Sequence, residues 1–343
     1  MKNHRFDWPI IGHKNIVEYL QHSVQANKVA HAYLFFGPDG IGKTALAGSF
    51  INSLVCENNI NEAGRVPCGE CGCCVQAAKK IHPDIIWLEK GIDPDTGKEK
   101  KNISIEQIRE LQNRLHLRSF LNSYKVAVIS QAESLSQEAA NSLLKILEEP
   151  AENTVIILLT NNISIIPKTV ISRCQLLKFL PVSDNAIFEY LVNDRQIEKS
   201  QAKILAACAY GRPGKAVAYL SDQDALDEYE TDIDYFLSLH GRSLAGRFKV
   251  IQEIAGFLPS SSILKILNNW LMAVRDLILI KNSVPKMIGN LKFEKKLVGL
   301  SDFYDNKKLV QIFREINSAG GYLAANINPK LVLENLALKF PTI

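Results

Sequence analysis

The eight residues Gly37-Pro-Asp-Gly-Ile-Gly-Lys-Thr44 constrain this chain more than any other stretch. They match the pattern G-x-x-x-x-G-K-[ST], which signals phosphate binding when it joins a strand to a helix. Both flanks are present. Ala32–Phe36 (AYLFF) is an unbroken apolar run of strand length, and Thr44–Cys56 carries Leu46, Phe50 and Leu54 at helical spacing. Gly37, Gly40 and Gly42 let backbone N–H groups turn inward around phosphate oxygens, and the helix adds the positive end of its dipole. Lys43 is expected on the β- and γ-phosphates and the Thr44 hydroxyl on Mg²⁺. ATP or ADP with Mg²⁺ is therefore the expected ligand.

The surrounding pattern names the fold class. Ile85–Leu88, Lys125–Ser130, Thr154–Thr160 and Leu176–Leu180 read as further strands, with helices at Ile105–Leu117 and Gln137–Glu149, the latter stopped by Pro150. Apolar strands alternating with helices predict a mostly parallel α/β sheet covered on both faces. After residue 180 nearly every segment has helical periodicity, as in Ala186–Val192, Ser200–Ala209, Gly214–Leu220, Ser262–Lys281 and Lys307–Ser318. Three parts are expected: an α/β nucleotide-binding domain at 1–180, a helical lid at 181–240 and an all-α C-terminal domain at 241–343.

Binding phosphate is not hydrolysing it. A hydrolysing enzyme of this class needs an acid at the end of a second strand to hold Mg²⁺ and position water. The expected strand ends in Ser130-Gln131-Ala132-Glu133, with no Asp-Glu pair. Ser and Gln cannot supply the charge, and Glu133, a few residues on, is expected at the surface. No intrinsic ATPase is expected.

The chain has seven cysteines, at 56, 68, 71, 73, 74, 174 and 208. Such clustering points to metal before disulfides. Cys56, Cys68, Cys71 and Cys74 offer four thiolates suited to a closed, structural zinc site within an insertion at 56–74. Gly69 and Gly72 permit the tight turns, and Cys73 is the spare thiol that could replace a neighbour. Reduced free thiols or an iron–sulfur cluster are the competing readings.

Forty basic against thirty-six acidic residues give a net charge of +4. That permits contact with nucleic acid but does not argue for a protein that grips DNA alone. No apolar run reaches membrane-spanning length and the N-terminus lacks a signal-peptide core, so a cytoplasmic protein without membrane contact is expected.

Several motifs, in this order, resemble the delta-prime family of bacterial DNA polymerase III clamp-loader subunits, within the AAA+ class. They are His31-Ala-Tyr-Leu-Phe leading into the phosphate loop, the cysteine insertion followed by His82-Pro-Asp84, Asn141-Ser-Leu-Leu-Lys-Ile-Leu-Glu-Glu-Pro150, Ser172-Arg-Cys174, and Asn326-Ile-Asn-Pro-Lys-Leu-Val-Leu-Glu-Asn335. The resemblance covers nearly the whole chain. It implies that Arg173 is an arginine finger offered in trans to a neighbouring ATP site, against the plainer reading of a surface salt bridge. It puts Thr160 and Asn161 where a polar side chain senses the γ-phosphate, with strand capping as the alternative. It makes residues 241–343 an oligomerising collar. The implied partners are gamma/tau and delta subunits in a hetero-pentameric ring, the sliding clamp, and primer-template DNA reached through the complex, all within a DNA-directed DNA polymerase holoenzyme.

The chain departs from the active ATPase pattern of that class twice. The strand-end acids are missing, and in Gly211-Arg-Pro-Gly-Lys-Ala216 a glycine, Gly214, stands where an arginine of the lid is expected, with Arg212 and Lys215 beside it. The alternatives are an ATP-hydrolysing gamma/tau-type subunit or other AAA+ ATPase, and a standalone nucleotide-sensing or DNA-binding module.

Overall fold

The computed structural model describes residues 3–60, 63–93, 97, 99–119 and 124–340. The expected segments 1–180, 56–74 and 241–343 each include a few residues outside that set. The chain forms two compact units, Met1–Ala186 with Arg212–Gly214, and Ile187–Gly211 with Lys215–Ile343.

The first unit runs β1 (Asn3–Phe6), α1 (Lys14–Gln25), β2 (Ala32–Phe36), α2 (Lys43–Val55), α3 (Glu57–Ile60), β3 (Ala63–Val66), α4 (Gly72–Ala78), β4 (Ile85–Leu88), α5 (Ile105–His116), β5 (Lys125–Ile129), α6 (Gln137–Glu148), β6 (Thr154–Thr160), α7 (Lys168–Ile171) and β7 (Gln175–Lys178). Among the described residues, five of the strands form one sheet in the order β4-β5-β6-β2-β7, every pair parallel. Side chains alternate between its faces with period two. Tyr33, Phe35, Val126, Val128, Val155 and Ile157 pack on Leu46, Phe50 and Leu54 of α2. Ala32, Leu34, Ala127, Ile129, Ile156 and Leu158 pack on Ile108 and Leu111 of α5 and Ala139 and Leu143 of α6. Burial on both faces explains why these strands are continuous apolar runs. Each fully buried Phe or Leu contributes about 1.5–3 kcal/mol relative to exposure.

The helix ends follow local chemistry. Ser104 and Gln107 form a capping box at the start of α5, and the Ser136 side chain caps α6. Pro150 follows directly after the α6 cap residue Glu149. The last strand, expected at Leu176–Leu180, lies earlier at Gln175–Lys178. Its partner β2 ends at Phe36, opposite Lys178, and a final hydrogen bond from Phe179 N–H to the Phe36 carbonyl closes the ladder at 2.8 Å. A separate two-stranded parallel pair joins β1 to β3, with Asn3 opposite Ala63.

Beyond β7 the chain is helical: α8 (Asp184–Asn193), α9 (Lys199–Cys208), α10 (Pro213–Ser221), α11 (Gln223–Ser238), α12 (Leu244–Phe257), α13 (Ser260–Lys281), α14 (Glu294–Ser301), α15 (Asn306–Ala324) and α16 (Pro329–Lys339). In the second unit Trp270 is fully buried against Phe236 and Phe340. Buried Arg247 donates to the carbonyls of Ala337 and Phe340, tying α12 to the end of α16. Helix α15 runs further than the expected Lys307–Ser318, through Gly320 and Gly321. The buried Ala319 and Leu323 hold that last turn against the glycines' low propensity. Among the described residues no helix is long and apolar enough to cross a membrane.

Candidate functional site

The carboxyl ends of β2, β5 and β6 open onto one cavity of about 440 Å³. Ligands of open parallel sheets bind at such strand ends. Gly40, Gly42, Lys43 and Thr44 line one side, Ser130, Gln131 and Glu133 another, and Thr160, Asn161 and Gly214 the rest. The loop between β2 and α2 is shaped by glycines at positive φ, 70° at Gly40 and 105° at Gly42, angles that L-residues with side chains rarely adopt. A methyl group on Gly37 would stand 2.5 Å from the Phe179 carbonyl oxygen, so glycine is required there by space as well. His13, which belongs to no recognisable motif, braces the loop: its Nε2 lies 2.9 Å from the Ile41 carbonyl and its ring 4.8 Å from that of Phe179.

The Lys43 ammonium donates to the Gly37 carbonyl (2.7 Å), the Pro38 carbonyl (2.8 Å) and Asn161 Oδ1 (2.8 Å). Burial lowers its pKa, while the Asp39 and Glu133 carboxylates pull the other way. Asn161 thus meets the loop lysine directly. Thr160 is buried, and its hydroxyl accepts from Asn162 N–H at 3.1 Å, the local strand-end role.

Glu133 is not the surface residue expected from the sequence. Gln131 adopts φ 53°, and the short 3₁₀ turn Ala132–Ser134 folds the chain back toward β6. Glu133 therefore lines the cavity; Oε1 accepts from Asn161 N–H at 3.3 Å, and Oε2 is buried with no hydrogen-bond partner among the described residues. Gly214 is a close approach. Its N–H donates to the Gly40 carbonyl at 2.8 Å, and a Cβ there would sit 2.9 Å from that oxygen. No side chain fits between this backbone and the phosphate loop without displacement.

Arg173 follows α7 and is not among the residues lining the cavity. Its guanidinium pairs with Glu148 Oε1 at 2.6 Å and donates to the Thr169 carbonyl at 2.9 Å. Both side chains are partly exposed, 35% and 49%. Such a pair contributes at most about 1 kcal/mol and is readily exchanged for a stronger anion.

The cysteines converge. The sulfurs of Cys56, Cys68, Cys71 and Cys74 all lie within 4.8 Å of one another. Cys56 is the residue that ends α2, and Cys71 caps α4. Backbone N–H groups point at the sulfurs, from Cys68 to Cys56 Sγ (3.3 Å), Cys71 to Cys68 Sγ (3.3 Å) and Cys74 to Cys71 Sγ (3.4 Å). Hydrogen bonding by the Cys74 thiol, then by backbone N–H groups, holds the Cys56 pKa below the ordinary thiol value against the opposing effect of burial. A tetrahedral zinc ion with bonds of about 2.3 Å holds its sulfurs about 3.8 Å apart. Cys68 and Cys74 stand 3.9 Å apart, so the donor set fits. Four thiolates leave no place for water, and zinc held by them would brace the fold without chemistry. Cys73 turns instead into the apolar core beside Leu54 and Ala77, where burial pushes its thiol up to about 11.

A phosphate loop between β2 and α2, set in this parallel sheet and followed by a helical region, defines an α/β P-loop protein. The family model described as "DNA polymerase III, delta subunit" matches residues 12–183, and the chain belongs to that family. It is 26% identical over 96% of its length to DNA polymerase III subunit tau of Bacillus subtilis (strain 168), spanning 60% of that protein. It is 34% identical over 56% of its length to subunit delta' of the same organism, spanning 54% of that protein. It is 39% identical over 42% of its length to subunit delta' of Pseudomonas aeruginosa, again spanning 42% of the relative. The chain therefore spans about half the length of these relatives.

Proposed function

We infer that the chain is a clamp-loader subunit of DNA polymerase III, of the delta-prime type. It holds ATP or ADP in the P-loop without turning it over, and offers Arg173 to the ATP site of an adjacent gamma/tau subunit in a ring that also contains delta. The observation carrying this reading is the strand end opposite the P-loop, where Ser130 and Gln131 line the cavity in place of acids. A hydroxyl and an amide can neither neutralise a metal ion nor take a proton from attacking water. Gly214 adds support, because its contact with Gly40 leaves no room for an arginine that would reach the transferred phosphoryl group.

In this role Lys43 and Thr44 bind phosphate and orient the metal. The thiolate cluster fixes the far end of the P-loop helix through zinc. Arg173, held only by exchangeable contacts, stabilises charge developing on a nucleotide bound to another chain. The complex opens the sliding clamp around primer-template DNA in the cytoplasm, with no membrane contact.

A second reading, an ATP-hydrolysing gamma/tau-type subunit, is favoured by the similarity to tau over 96% of this chain and by the Glu133 carboxylate in the cavity. Steady-state turnover of the purified chain with Mg·ATP separates the two. The delta-prime reading predicts bound nucleotide and no turnover. Multiple turnovers by the chain alone would overturn it.

A further inference from the structure

Glu133 is a carboxylate inside a cavity built for phosphates. Two acids line that cavity, Asp39 on the exposed loop tip and Glu133 at its inner wall. One Glu133 oxygen is fixed by Asn161 N–H, and the other is buried and without a partner among the described residues. The nearby ammonium does not pair with it, since the hydrogen bonds of Lys43 go to Gly37, Pro38 and Asn161. A buried acceptor left in this condition is costly and calls for a cation or donor. Phosphate cannot be that donor, because an incoming polyphosphate adds negative charge beside the carboxylate.

We propose that Glu133 supplies the acidic metal ligand that Ser130 and Gln131 lack, so that a divalent cation is held between Glu133, the Thr44 hydroxyl and the phosphates of a bound nucleotide. This rests on the nucleotide-pocket reading above. The carboxylate reaches the cavity from a turn beyond the strand instead of from the strand end. Magnesium is a hard cation bound by one or two carboxylates plus substrate phosphates, so a single glutamate with a threonine hydroxyl is sufficient. The position has a consequence for catalysis. A carboxylate engaged with a metal ion is a weak base, so Glu133 in this role holds the cation and does not take a proton from attacking water. Binding would therefore depend on metal while hydrolysis stays absent.

The test measures ADP affinity calorimetrically in EDTA and in Mn²⁺, and counts bound Mn²⁺ from the loss of the free-ion paramagnetic resonance signal. For the unaltered chain Mn²⁺ is expected to tighten ADP at least about tenfold, with one Mn²⁺ bound per nucleotide. Glu133→Gln is expected to bind ADP as well or better in EDTA, because the repulsion is gone. Its Mn²⁺ enhancement is expected to shrink to about twofold and its Mn²⁺ affinity to fall about tenfold or more. Adding Ser130→Asp to Glu133→Gln, which places an acid at the strand end, should restore Mn²⁺ binding; this rescue also shows that the single variant is folded. If Glu133→Gln keeps the Mn²⁺ affinity and enhancement of the unaltered chain, the role of Glu133 is overturned and the nucleotide pocket stands. If the unaltered chain binds no ADP under either condition, the pocket reading falls and this proposal with it.

Discussion

Replacing Cys71 with serine removes one of four converging sulfurs from a loop closed between Cys56 and Cys74. That loop is nineteen residues long, and its near end is the last turn of the P-loop helix. A cross-link of this span restricts the unfolded chain by about 3 kcal/mol on the loop-entropy relation used for disulfides. For a unit of this size each kcal/mol moves the midpoint by about 2–4 °C, so loss of the metal is expected to lower Tm by about 6–12 °C. The assay is scanning calorimetry of metal-loaded, chelator-stripped and Cys71→Ser protein, all kept reduced, alongside elemental analysis. About one zinc per chain is expected in the first and none in the second. Cys73→Ser is the control. It places a hydroxyl in the apolar core, at a cost of about 1–3 kcal/mol, but should retain the metal. The reasoning is refuted if reduced protein carries no metal, or if stripped and loaded forms melt together.

Gly214→Ala is expected to weaken ADP binding about tenfold with the fold intact, since its Cβ would meet the Gly40 carbonyl oxygen at 2.9 Å and backbone cannot swing aside as a side chain does. Calorimetric titration checks this, and unchanged affinity would show that the phosphate loop tolerates the shift. Asp232, buried in α11 with Asn269 Nδ2 at 2.8 Å, has its carboxyl pushed up to about 6 by burial. A raised folded-state value favours the neutral acid, so its contribution to stability is complete below about pH 4 and is lost as pH rises through 6. Asp232→Asn should flatten that interval and stabilise the protein at pH 7 by on the order of 2 kcal/mol; urea midpoints at pH 4.5 and 7 that keep the original slope would contradict it.

Much of the first unit was legible because its strands bury both faces. AYLFF, KVAVI and TVIILLT are nearly pure apolar runs and fell where expected, as did the phosphate loop between strand and helix. The strand β7 lies earlier than its apolar pattern predicts because three of its four residues are exposed at the sheet edge, leaving little hydrophobic signal. The pairing of β1 with β3 leaves no signal in the sequence, since it joins residues sixty positions apart through two four-residue strands, such as Arg5 to Arg65. In the cavity, the loop residues carry a pattern that chemistry dictates, whereas Glu133 does not. Its direction depends on a left-handed turn at Gln131, a non-glycine residue with no local mark of that conformation. Gly214 likewise reads as the absence of a side chain until the Gly40 carbonyl is seen against it. The four converging cysteines could be picked from the sequence by spacing, but the inward turn of Cys73 follows from α4, where adjacent side chains diverge by about a hundred degrees.

The most direct test of the central claim is steady-state ATP hydrolysis by the complex reconstituted from this chain with gamma/tau and delta subunits, comparing Arg173 with Arg173→Ala. Arg173 has only a partly exposed ion pair and local hydrogen bonds to lose, so the variant should fold and assemble with a stability change under about 1 kcal/mol. The account predicts that hydrolysis at the neighbouring site served by this residue falls by about a thousandfold, the scale of a missing arginine finger. An assembled Arg173→Ala complex that hydrolyses ATP at the unaltered rate would contradict it.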